Sequence, residues 1–111
     1  MDYLTRWEEM LLIAVYRLKG DAYGVPVKKH LTKVTGKIIS FGALYVSLDK
    51  LVKKGYLSKA KGEPTPERGG RSKIFYQVTP EGEKALQATR DLQKNLWAGI
   101  PEFEFNRKKA L

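Results

Sequence analysis

Ser40-Phe41-Gly42-Ala43-Leu44-Tyr45-Val46-Ser47-Leu48-Asp49-Lys50-Leu51-Val52-Lys53-Lys54-Gly55 is the stretch that decides the fold. Ser40 is a strong helix N-cap, because its hydroxyl can accept a hydrogen bond from an orphan N–H of the first turn. Phe41, Leu44, Leu48, Leu51 and Val52 then recur at three- and four-residue steps, which predicts a helix with this stripe inward. Gly42, Ala43, Val46, Ser47 and Lys50 are left outward. Lys53 and Lys54 make a basic last turn and Gly55 a stop. A helix that is apolar on one side and small or polar on the other, above all near its N-terminus, suits a DNA major groove. Ser40, Gly42 and Ala43 would allow close approach, while Tyr45, Ser47 and Lys50 could bond phosphates or base edges. In isolation the same positions would more readily describe an ordinary surface.

Beyond Gly55 the period changes from helical to extended. Residues 56–61 and 74–78 predict two strands, and residues 62–73 between them hold Gly62, Pro64, Pro66, Gly69 and Gly70, which forbid regular structure. The hairpin therefore has a long tip, made basic by Arg68, Arg71 and Lys73 around Gly70. A basic glycine-rich loop alone is usually just solvated. Placed one short strand after a helix-turn-helix, it reads as a wing able to follow phosphates or enter a narrow minor groove.

Toward the N-terminus, Thr5 and Glu8 have capping-box spacing, and Trp7, Met10, Leu11, Ala14, Val15 and Leu18 form an apolar stripe that predicts a helix ending near Gly20. A second helix follows a turn at residues 21–24, with Pro26 in its first turn, Val27, His30, Leu31 and Val34 along one side, and Gly36 closing it. Toward the C-terminus, Thr79 caps a helix with Pro80 at its first position and Glu81 and Glu83 in its first turn, running to about Ala98. The order is helix, helix, helix, strand, strand, helix. This is a mainly α fold with a small β-hairpin wing, a winged helix-turn-helix over residues 1–79. A C-terminal dimerisation helix over 80–98 and a mobile tail over 99–111 complete it.

Composition agrees. The 111 residues, 42% of them hydrophobic, suffice for one core, and with no cysteine a disulfide framework, a thiolate metal site and a cysteine nucleophile are excluded. The longest apolar run, residues 10–16, is too short for a bilayer, and residues 1–9 lack the pattern of a secretory signal, so a cytoplasmic protein without membrane contact is expected. Of the formal net charge of +9, residues 50–76 carry +6 and residues 24–39 carry +4, whereas residues 5–23 and 80–98 each balance to zero. A basic middle between neutral helices suits a polyanion on one face and another partner elsewhere.

Enzyme chemistry finds no footing. One histidine, His30, can build neither a metal triad nor a Ser-His-Asp arrangement. The carboxylates Glu8, Glu9, Glu81 and Glu83 sit in first helical turns, where they complement the helix dipole. Arg71-Ser72-Lys73 lacks the spacing of a phosphate loop. No catalytic residue, metal or cofactor is expected.

The chain also resembles the PadR-like transcriptional regulators, across residues 4–86. The resemblance rests on Tyr23-Gly24, on Ser40-x-Gly42-x-Leu44-Tyr45 and on Leu48-x-x-Leu51-x-x-x-Gly55-Tyr56-Leu57. Gly70-Arg71-x-Lys73 and Tyr76-x-Val78-Thr79-Pro80-x-Gly82 extend it. Ala43 and Val46 stand where the family commonly has Thr and Pro, and Val25 and Pro26 replace the aromatic and acidic residues often found after Tyr-Gly. The resemblance implies a homodimeric repressor or regulator on double-stranded DNA, with the first and last helices at the dimer contact and two wings flanking the operator. Leu86, Leu92 and Leu96, with Ala85 and Ala88, offer a stripe for either the chain's own core or a partner helix. Some relatives hold flat aromatic compounds at the dimer interface. Trp97 could stack on such an effector or simply pack the seam. The alternative to a regulator is a winged-helix module whose basic face meets an acidic protein.

Overall fold

The capping box spelled by Thr5 and Glu8 forms: the Thr5 hydroxyl accepts from the Glu8 N–H at 3.1 Å, and the Glu8 carboxylate accepts from the Thr5 N–H at 2.9 Å. It opens α1 (Arg6–Leu18) of the computed structural model, which describes residues 3–63 and 72–103. A single 3-10 turn over Lys19–Asp21 follows, so the α-helix ends just short of Gly20, with Lys19 at φ 47°. Then come α2 (Gly24–Thr35), α3 (Phe41–Lys53), β1 (Leu57–Lys61), β2 (Ile74–Val78) and α4 (Pro80–Trp97). Gly36 ends α2 at φ 73°, a left-handed conformation open to glycine at no steric cost.

The core lies where α1, α2, α3 and the hairpin converge. Leu11, Leu12, Val15, Val27, Leu31, Leu44, Leu48, Leu51 and Leu57 are all withdrawn from solvent. Each such side chain contributes about 1.5–3 kcal/mol relative to an exposed position. Two of the positions expected inside lie outside it: Val34 is 63% and Phe41 40% exposed. Val34 belongs to the last turn of α2 and Phe41 to the first of α3, and the periodicity runs on past the point where a neighbouring element still covers the stripe.

β1 and β2 pair antiparallel from Leu57 opposite Val78 to Lys61 opposite Ile74. Leu57 and Tyr76, on the inward side, join the core, and the Tyr76 N–H reaches the Ala22 carbonyl at 2.8 Å, tying the hairpin to the turn after α1. Burial first, then Asp49 and Tyr45, pushes the Tyr76 phenol up to about 12, so it packs as a neutral ring.

Thr79 turns the chain into α4, its hydroxyl accepting from the Gly82 N–H at 3.0 Å and donating to the Gly55 carbonyl at 2.6 Å. Gly82 is required by proximity, because a Cβ there would stand 2.3 Å from the Tyr56 carbonyl oxygen. α4 packs against α1 as far as Gln93. The buried Thr89 hydroxyl accepts from the Leu4 N–H at 3.1 Å, and Gln93 donates to Glu9 at 3.0 Å. Among the described residues no helix is long and apolar enough to cross a membrane.

Candidate nucleic-acid interface

The first turn of α3 is built by Ser40, whose hydroxyl accepts from the Ala43 N–H at 3.1 Å. Ser40, Gly42 and Ala43 are all exposed. Gly42 is informative because its helical backbone requires no glycine and a Cβ there would meet nothing within 4 Å. A helical glycine costs about 1 kcal/mol relative to alanine. Among the described residues nothing accounts for that cost.

Tyr45 is partly exposed, at 37%, and its ring lies over the start of α2 against Gly24. It also stacks on Phe41, with centroids 6.1 Å apart and planes 21° from parallel. The Lys28 ammonium stands 4.6 Å from the Phe41 ring centre. These three side chains join the two helices of the helix-turn-helix on their outer side. Sequence periodicity misses the cluster because it assigns Phe41 inward.

Ser47 departs from the outward set. Its hydroxyl accepts from the Trp7 indole N–H at 2.8 Å, locking α3 to α1, and the residue is half-buried. Ser47 sits one helical turn behind the open N-terminal turn, on the flank that α1 covers. Lys50 is exposed. Asp49 is paired with Lys59 at 3.2 Å. From residue 22 through residue 48 there is no carboxylate, while Lys28, Lys29, Lys33 and Lys37 lie in that interval. The field over the outer side of α2 and α3 is therefore positive.

At the root of the hairpin, the Gly62 N–H donates to the Lys73 carbonyl at 2.7 Å, extending the pairing by one step. The Lys73 ammonium lies 4.3 Å from the Tyr23 ring centre, and Tyr23 meets Phe75 edge-on at 5.4 Å. Lys73 thus ties the chain just before β2 to the entrance of α2. Arg68, Gly70 and Arg71 lie outside the described residues.

A second face forms between α1 and α4. Ala85 is buried and Leu86 packs on the chain's own core, Leu92 is half-buried, and Leu96 and Trp97 are 63% and 55% exposed. The stripe of α4 is therefore shared, its first half covered from within and its last turn open. Ile13 and Tyr16 of α1, 40% and 51% exposed, line a groove with Leu86, Gln87 and Arg90. Residues 99–103 fold back, with the Ile100 N–H on the Trp97 carbonyl at 3.0 Å and Phe103 edge-on to Trp97 at 5.9 Å. The rest of the expected tail lies outside the described residues.

The model of the transcriptional regulator PadR-like family matches residues 12–88. Among solved structures, the chain is similar to H. salinarum RosR, at 24% identity and a TM-score of 0.67 over 96% of this chain and 86% of that one. It is also similar to a PadR-like transcription factor from Bacteroides fragilis, at 24% identity and a TM-score of 0.70 over 81% and 82% of the two chains. A PadR family transcription regulator from Clostridium difficile aligns at 20% identity and a TM-score of 0.63 over 81% and 90%. No curated protein matches the sequence. At such identities the structural likenesses establish the fold, and the family match, which covers more than half of the chain, establishes membership. The chain belongs to the PadR-like family: it is a DNA-binding transcriptional regulator with a winged-helix fold, and not an enzyme.

Proposed function

We propose that the chain works as a cytoplasmic homodimeric repressor that occupies a near-palindromic operator. The first turn of α3 enters the major groove, and the wing, residues 62–73, lies on phosphates or in the minor groove. The observation that carries this reading is Gly42: an open, unneeded glycine on an exposed helix start, within a carboxylate-free interval that holds four lysines. Ser40, Gly42 and Ala43 set the distance of approach. Tyr45 and Lys50 supply donors, and Arg68, Gly70, Arg71 and Lys73 form the wing contact. Residues 1–79 are the DNA-binding unit, and residues 80–98 the dimerisation helix.

The second chain packs along the α1–α4 groove, covering Leu92, Leu96 and Trp97. Support comes from the 18-residue length of α4, whose last turn extends apolar side chains beyond the core. Trp97 is the candidate contact for a flat aromatic effector at that seam.

Fluorescence anisotropy against the DNA upstream of the chain's own gene and a shuffled control, each titrated across salt, tests the reading. Tighter, steeply salt-dependent binding to the native fragment is expected, because several phosphates release counterions. Sedimentation should give twice the chain mass, and transcription from the fragment should fall when protein is added. A monomer without affinity for either DNA would overturn the reading in favour of a protein-docking module.

A further inference from the structure

We propose that Phe41 is a base-reading residue whose ring meets the C5-methyl group of a thymine in each half-site. This rests on the reading of α3 as the major-groove helix. Phe41 is the first residue of α3, is 40% exposed, and has no part in the core cluster. Phe41 lies outside the core, yet its ring is held in place. Tyr45 stacks on it, itself seated against Gly24, and the Lys28 ammonium lies over its ring. A ring ordered before binding loses little entropy on contact.

The chemistry selects the occupant. Among the groups that base pairs show in the major groove, the thymine methyl is the apolar one, and phenylalanine is among the side chains suited to it. The residues around Phe41 in the chain, Ser40, Gly42 and Ala43, are too small to hold its ring away from a base edge. Surrounding charge is of one sign, with Lys28, Lys29, Lys33 and Lys37 and no carboxylate from residue 22 through residue 48. An apolar ring inside such a field fits a polyanion carrying methyl groups better than an apolar protein surface.

The test begins with duplexes selected by the wild-type chain from a random pool. Each thymine is then replaced in both half-sites by deoxyuridine, which removes only the methyl group. At one thymine position affinity should fall about fourfold per half-site, the effect of one methyl group leaving water. Phe41→Ala should bind the unmodified duplex more weakly and lose the sensitivity at that position alone. Phe41→Leu should keep it, and melting curves should show both variants fully folded at the assay temperature. Equal deoxyuridine sensitivity in wild type and Phe41→Ala, or selected sites with no invariant thymine, would overturn the assignment while leaving DNA binding intact. A wild-type chain that enriches no duplex at all would overturn the DNA-binding reading and this assignment with it.

Discussion

The phenol oxygen of Tyr45 occupies the space in which a side chain at Gly24 would begin, 1.9 Å from the position of a Cβ. One residue belongs to the first turn of α2 and the other to the second turn of α3, so this contact sets how closely the two helices of the helix-turn-helix approach. Gly24→Ala should push Tyr45 aside and destabilise the chain by about 1–3 kcal/mol, the usual effect of overpacking. With Tyr45→Ala already present the same change should be neutral or stabilising, since alanine favours a helix. A double-mutant cycle in urea measures the difference, and equal effects in both backgrounds would contradict the contact.

Gly42 is the opposite case. Gly42→Ala should stabilise the folded chain by about 1 kcal/mol in urea unfolding, because its Cβ meets open space. The same methyl group should weaken operator binding roughly tenfold, the effect of a modest steric conflict at a close contact. Gain of stability with unchanged affinity would remove Gly42 from the interface.

The Ser47 hydroxyl is engaged by the Trp7 indole N–H at 2.8 Å. Ser47→Ala should cost about 1 kcal/mol of stability through the lost indole hydrogen bond. Operator affinity measured well below the melting temperature should stay within about twofold, as for a residue without a base or phosphate contact. A large loss of affinity at unchanged stability would return Ser47 to the DNA-contacting set.

Glu8 carries a dependence on pH. Burial raises its carboxyl, but the Lys54 ammonium and the Thr5 hydrogen bonds outweigh burial and hold it below the ordinary carboxylate value of 4.5. A carboxylate depressed on folding stabilises at neutral pH and loses that contribution as pH falls from 4.5 through the folded-state value. Glu8→Gln keeps the capping-box hydrogen bond and loses the Lys54 pair. It should therefore be less stable than the wild type at pH 7, by no more than about 1 kcal/mol for so exposed a partner. Thermal melts from pH 7 to pH 3 should show the gap closing, and a gap that widened in acid would contradict the pairing.

Most of the element order was legible because it depends on local chemistry. Thr5, Ser40 and Thr79 each cap the helix that follows them, and Gly36 closes α2. The β-favouring run at residues 74–78, after a Pro- and Gly-rich loop, placed β2 at its observed bounds. Helix-period reasoning went astray at Val34 and Phe41, at facing helix ends, where a stripe continues in sequence after its cover has stopped in space.

The sequence by itself determined the helices, the hairpin, the basic middle of the chain and the family resemblance, since caps, periods, turn residues and charge act over a few neighbouring residues. Only the tertiary structure decided that Ser47 serves Trp7, that Phe41 stands outside between Lys28 and Tyr45, and that Leu86 and Leu96 of one stripe have different surroundings. It also separated two glycines that look alike in sequence. Gly24 is required by a ring from another helix, and Gly42 by nothing among the described residues. The physical reason is that side-chain surroundings depend on residues distant in sequence, which no local period records.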